Sequence, residues 1–488
     1  MSLMVLTVSA ASAARQPVYM EDNARMKKSM VASLGSLILM PALFAAEAEK
    51  VEPKKSGPEF DAGMDFRFRY EYKDNWMEKG KTSIDTTYDD QARLRTRVWG
   101  KADFAEDLGA YLRLGNEFRD YRNSTGNKHK NEFPDELFID NLYLDVKNIR
   151  DRVDLRIGRQ NIKEGRGRMI SDGTGGDGSR TEYFDAILAK VKMLERSDID
   201  LMAVWNRYRD DWTLGNPHDI YDQTKIKSGS PYSKMHEKAL MAYLHYNEVE
   251  NIPMEFYWIW KQETRFYDKE TRYPGRDFHT FGTRLMPRFS DTLSAELESA
   301  VQLGQIDGQS GMEGRNIAAW MTYAGVTYAR NEWAGKPRLT GALLYLSGDD
   351  DSYYKTADGG TATGWNPLFN RTDSEGHISA GMYDSYRWSN LVYPHLEAAV
   401  EPHAKHKVRL QAGPMYAAEK DNGARDAYRG LFALCRYDFP LLSKIFGKRG
   451  ELKGAVIGEL MAYGDYYEHE AADADVGTWL RFEINGKF

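Results

Sequence analysis

Trp479-Leu480-Arg481-Phe482-Glu483-Ile484-Asn485-Gly486-Lys487-Phe488 closes the chain, and its reading decides the fold. Successive side chains of a strand point to opposite faces, so Leu480, Phe482, Ile484, Gly486 and Phe488 share one side, and Arg481, Glu483, Asn485 and Lys487 share the other. A last strand with one apolar and one charged face, ending on an aromatic residue, is the signal that marks a client of the barrel-assembly machinery. The same alternation recurs upstream. Phe60, Ala62, Met64, Phe66, Phe68 and Tyr70 oppose Asp61, Gly63, Asp65, Arg67 and Arg69; Ala92, Leu94, Thr96 and Val98 oppose Arg93, Arg95 and Arg97. Leu108, Ala110, Leu112 and Leu114 oppose Tyr111, Arg113 and Glu117, and Leu293, Ala295, Leu297, Val301 and Leu303 lie opposite Glu296 and Glu298.

Alternation alone fits both a soluble sandwich and a membrane barrel; the connections separate them. Strand-like segments between 60 and 488 number about 18, an even count as single-chain bacterial barrels require. Long polar connections (73–90, 120–136, 161–181, 210–236 and 348–385) alternate with short ones (106–107, 148–151, 195–197, 248–252, 288–291 and 331–336). Long outer loops, tight periplasmic turns and both termini in the periplasm follow. Segments near 182–209 and 316–330 alternate poorly.

Composition agrees. Aromatics make up 12% of the 488 residues, beside 28% charged residues, which suits a lipid face with aromatic girdles around a wet interior. The net charge of −7 does not point to nucleic acid. The single cysteine, Cys435, excludes an intramolecular disulfide and a thiolate zinc site. Met26-Lys27-Lys28, an apolar run from Met30 to Ala46 and small residues up to Ala48 read as a signal peptide. The expected organisation is an upstream start over 1–25, a signal peptide over 26–48, a short periplasmic segment over 49–58, and one transmembrane barrel over 59–488.

The charged faces carry the candidate chemistry. Arg67, Arg69, Arg93, Arg95, Arg97 and Arg113 come from three successive strands and predict a contiguous wall patch. Arg156, Arg159, Arg409, Arg436 and Arg481 are further inward candidates, with Asp65, Glu117, Glu296 and Glu483 as acidic neighbours. Guanidinium forks bind carboxylates bidentately and stay charged at any relevant pH. Two readings stay open: anion selectivity of the patch, and Arg–Glu ladders that only brace the wall. Tyr111, Tyr143 and Trp479 are candidates to stack on sugar rings or to act as girdle residues.

Catalytic motifs are weak. Gly173-Thr174-Gly175-Gly176-Asp177-Gly178 matches a dinucleotide fingerprint but lies in a loop with no helix to follow. His236-Glu237 lacks a zinc-protease partner histidine, and Asp349-Asp350-Asp351 reads more readily as a solvated turn than as a calcium site. No cofactor, catalytic set or metal centre is expected.

Three stretches resemble the alginate-export family of outer-membrane barrels: Asp154-Leu155-Arg156-Ile157-Gly158-Arg159-Gln160 running on to Gly165 and Arg166; Tyr345-Leu346-Ser347-Gly348-Asp349-Asp350 followed by Trp365-Asn366-Pro367-Leu368-Phe369; and the closing strand. The resemblance implies an 18-stranded barrel whose electropositive lumen passes an anionic polysaccharide, and contact with a periplasmic secretion scaffold besides outer-membrane lipid and lipopolysaccharide. It also implies a late periplasmic loop able to cover the pore; here that is the turn 440–450, made cationic by Lys444, Lys448 and Arg449. A general or uptake porin for small anions or oligosaccharides is the alternative, and an outer-membrane hydrolase a more distant one.

Overall fold

The computed structural model describes residues 57–76, 88–124, 136–171, 183–207, 212–215, 236–268, 271–308, 313–349, 359–370, 389–420, 426–445, 450–467 and 476–488. The expected upstream and signal segments, the glycine-rich run 173–178, and Lys448 and Arg449 lie outside them.

Eighteen long strands form one antiparallel sheet that closes on itself. They are β1 (Glu59–Asp74), β2 (Tyr88–Asp103), β3 (Leu108–Ser124), β4 (Glu136–Ile149), β5 (Val153–Gln160), β6 (Phe184–Lys192), β7 (Asp198–Asn206), β8 (Glu237–Tyr246) and β9 (Met254–Glu263). Then follow β10 (Arg276–Leu285), β11 (Leu293–Ile306), β12 (Arg315–Ala329), β13 (Arg338–Leu346), β14 (Leu391–Val400), β15 (Lys407–Tyr416), β16 (Tyr428–Ile445), β17 (Gly450–Tyr463) and β18 (Val476–Lys487). Each pairs with its neighbour in sequence, and β18 returns to β1 in the register Asp65↔Lys487 to Asp74↔Thr478. The chain end seals the seam: Met64 N donates to Phe488 O at 3.1 Å, Phe488 N donates to Met64 O at 2.9 Å, and the Phe66 and Phe488 rings stack. Closure leaves no edge strand with unpaired backbone groups, the condition for a sheet to stand in hydrocarbon.

Burial runs opposite to that of a soluble protein. On β18, Leu480 is 49% exposed while Arg481 is 3% exposed; on β2, Val98 is 46% exposed and Arg97 7%. Leucine and valine outside with arginine inside identify the outer face as the lipid face. Among the described residues there is no helix long and apolar enough to cross a membrane; the strands do the crossing.

The tight turns rest on left-handed residues, among them Asn148, Arg150 and Asp151 (φ 56°, 52° and 60°) between β4 and β5. The turn read as 440–450 is narrower than expected: β16 runs through Pro440, Leu441 and Leu442 to Ile445, and β17 starts at Gly450. Lys444 therefore lies within β16, at the register shift between Ser443 and Ile445 (φ 63°), because Pro440 to Ile445 still pair with β17.

One glycine is required where β4 and β5 approach. Gly158 has φ 127°, and an added Cβ would stand 2.3 Å from the Leu142 carbonyl oxygen. Gly158→Ala is expected to cost about 1–3 kcal/mol, read as a lower urea midpoint in lipid vesicles. Gly100→Ala, whose Cβ meets nothing within 4 Å, should leave the midpoint unchanged.

Candidate functional site

Strand pairing places the predicted arginines side by side. Arg67 faces Arg95 and Arg69 faces Arg93 across β1 and β2, while Arg69 and Glu71 face Glu483 and Arg481 across the seam. Like charges in direct register repel, so carboxylates are threaded among them. Arg69 binds Glu483, and Arg481 binds Glu71. Glu71 also accepts from Arg93 at 3.2 Å and from Gln91 at 2.8 Å. Asp65 accepts from Arg97 at 2.9 Å and lies 3.8 Å from Arg95; Asp140 binds Arg113 and lies 3.6 Å from Arg97; Glu117 lies 3.8 Å from Arg93. Seven guanidiniums (67, 69, 93, 95, 97, 113, 481) meet five carboxylates (65, 71, 117, 140, 483). Arg67, Arg69, Arg93 and Arg481 are almost wholly buried in this lattice.

The remaining inward candidates are held in the same manner. Arg156 pairs with Asp145 at 2.6 Å and covers the Tyr143 ring. Arg159 pairs with Asp185 at 2.9 Å between the rings of Tyr183 and Trp212. Arg409 meets Glu397, and Arg436 meets Asp438, each at 2.7 Å. Tyr111 stacks between Trp99 and Tyr143, and Trp479 is fully buried. Asp349 pairs with Arg315 rather than standing in a solvated acidic turn, and Asp350 and Asp351 lie outside the described residues.

The part that sequence reading missed lies across the barrel. Two connections expected outside turn into the lumen. Segment 161–171, after β5, buries Ile162, Glu164, Arg168, Met169, Ile170 and Ser171. Segment 359–370, after β13, buries Ala362, Trp365, Leu368 and Phe369. They meet as a short parallel ladder, Ile170↔Phe369 and Ser171↔Asn370. Many of the inward residues of β6 to β13 are apolar: Phe184, Leu188, Met202, Met241, Ile259, Phe278, Met321 and Leu344 are all buried, with buried polar groups such as Lys261, Glu298 and Gln302 among them. An apolar patch inside a wet pore must be covered, and burying a Phe or Ile contributes about 1.5–3 kcal/mol, which fastens the two segments to that wall.

Polar clamps set their position. Arg168 Nη1 donates to Glu296 and Glu298 on β11, each at 2.7 Å, and its guanidinium lies over the Tyr323 ring. Lys261 on β9 donates to the Leu368 carbonyl at 2.9 Å while paired with Glu237 and Glu263. Gln302 exchanges two hydrogen bonds with the Asn366 backbone, at 2.8 and 2.9 Å. Gly165 (φ 53°) leaves room for Tyr243 and Glu255; a Cβ there would stand 2.8 Å from the Tyr243 hydroxyl and 2.9 Å from the Glu255 carboxylate. Within this otherwise buried segment Lys163, Gly165 and Arg166 are exposed. Lys163 and Arg166 carry no ion pair among the described residues.

A closed 18-stranded barrel with lipid-facing leucines and a lumen narrowed by infolded loops defines an outer-membrane porin. Its fold is similar to solved porin structures: Pseudomonas aeruginosa OccK11 (OpdR), at 12% identity and TM-score 0.52, with 88% of this chain and 96% of that one covered; and Acinetobacter baumannii OccAB1, at 12% identity and TM-score 0.52, with 91% and 100% covered. No curated protein matches the chain by sequence. The chain belongs to the alginate export family, whose model matches residues 59–430.

Proposed function

We propose that this porin passes an anionic polysaccharide of the polyuronate type, passively, across the outer membrane of a Gram-negative cell. The supporting observation is the sorting of cations: the wall arginines are engaged by carboxylates, whereas Lys163 and Arg166 stand exposed on the segment that narrows the lumen. A polymer with one carboxylate per sugar needs weak, exchangeable contacts at the narrowest point, because each site must release as readily as it binds. Two exposed cations supply this, while the arginines of the wall lattice are occupied by one another's carboxylate partners. In this reading the long-loop end faces lipopolysaccharide, the barrel-assembly machinery inserts the chain, and a periplasmic scaffold delivers polymer to the short-turn end.

In planar bilayers, polyuronate fragments are expected to block single-channel current in a concentration-dependent manner, and a neutral glucan of equal length is not. Passage of small anions without block by the long polyuronate would instead favour the small-anion porin reading.

A further inference from the structure

Glu164, on the infolded segment, meets Asp200 of β7 and His245 of β8, and one ligand atom from each lies within 4.8 Å of the others. His245 Nε2 is 3.2 Å from Glu164 Oε2, and its other ring nitrogen lies 3.9 Å from Glu255, the side from which a carboxylate supports a metal-bound imidazole. Asp200 is fully buried. Its Oδ2 accepts from Lys190 at 2.7 Å, but its buried Oδ1 has no hydrogen-bond partner. A buried carboxylate oxygen without a donor costs about 1–3 kcal/mol, and a cation removes that cost.

We propose that Glu164, Asp200 and His245 bind a divalent transition cation of the zinc type, and that this ion pins the infolded segment 161–171 to the barrel wall. Carboxylate oxygens and imidazole nitrogen are both zinc donors, and three protein ligands leave a fourth, open position for water. Ligand bonds of about 2.0–2.1 Å require donor atoms about 3.3 Å apart in a tetrahedral site, a contraction that side-chain rotation supplies. Lys190 keeps Oδ2, so Asp200 coordinates through Oδ1. Two of the ligands belong to adjacent strands and the third to the segment, so the ion links the infolded segment to the barrel wall. This site is independent of what the pore carries.

Zn2+ alone is titrated calorimetrically into the full barrel in detergent. The titration uses a His403→Ala/His406→Ala background, because those two rings lie 5.8 Å apart on the turn between β14 and β15 and offer a second site. One ion per chain is expected, with affinity lowered about 10–100-fold or more by His245→Ala and by Glu164→Gln, in protein whose heat-modifiable migration is unchanged. In bilayers Zn2+ should quiet open-channel noise in the background protein and not in either variant. Absence of stoichiometric binding, or binding that survives His245→Ala, overturns the site; full affinity in Glu164→Gln overturns the pinning.

Discussion

Arg168→Ala is expected to raise single-channel conductance several-fold and to make the open level noisy, without unfolding the barrel. Arg168 is 3% exposed and is held by two carboxylates and an aromatic face. Its loss leaves Glu298, 2% exposed, with the Tyr257 hydroxyl at 3.1 Å as its hydrogen-bond donor among the described residues, while Glu296 keeps Arg284 at 2.9 Å. Removing one partner of a buried ion pair costs about 3–5 kcal/mol. That cost falls on the infolded segment, because the closing ladder between β1 and β18 is elsewhere on the circumference. The segment should detach, and water should enter the space it occupied. Arg168→Lys should be intermediate, since an ammonium replaces the charge but not the planar fork or its stacking on Tyr323. Wild-type conductance in Arg168→Ala would show that segment 161–171 does not set the pore.

The second large effect lies in the arginine lattice and concerns stability. Glu71 is fully buried and serves Arg481, Arg93 and Gln91 at once. Glu71→Ala leaves two buried guanidiniums short of their shared counter-charge, next to Arg69 and Arg67 on the same strand. A loss of about 3–5 kcal/mol follows, visible as a lower urea midpoint in vesicles and a smaller heat-modifiable fraction on gels. Ion selectivity should change little, because these groups bind one another. Glu71→Gln keeps the shape and some hydrogen bonds and should lose most of the same stability, since the missing element is charge. A large change of selectivity with unchanged stability would instead place the lattice in direct contact with the permeating ion.

The sequence carried most of the barrel and less of the pore. The closing strand, the alternation on β1 to β3 and the rhythm of long and short connections are local consequences of one lipid face and one wet face, so they read directly. Pairing of the wall arginines was only half legible: Asp65, Glu117 and Glu483 stood out as neighbours, but Glu71, Asp140 and Asp185 acquire their partners through cross-strand register, which depends on bulges and shear. The infolded segments were missed, although a signal for them was present. The segments over 182–209 and 316–330 alternate poorly because both faces are apolar: Ile317, Ala319 and Met321 are buried inside while Trp320 and Val326 are exposed outside. In a water-filled barrel an apolar inner face means that something covers it, and the cover here comes from Ile170, Trp365 and Phe369. The stretches that carried the family resemblance beyond the strands, Gly165-Arg166 and Trp365 to Phe369, are parts of that cover. Glu164, Asp200 and His245 come from three separate elements with no ligand spacing in the sequence, and only the fold brings them together.

The central claim is that exposed cations on the infolded segment, and not the paired arginines of the wall, confer anion preference. The reversal potential in a salt gradient tests it most directly, measured for the wild type, for Lys163→Glu/Arg166→Glu and for Arg409→Gln. Anion preference is expected in the wild type, loss or inversion of it in the double loop variant, and little change in Arg409→Gln. A cation-preferring wild type, or a double variant that keeps the wild-type reversal potential, would contradict the claim.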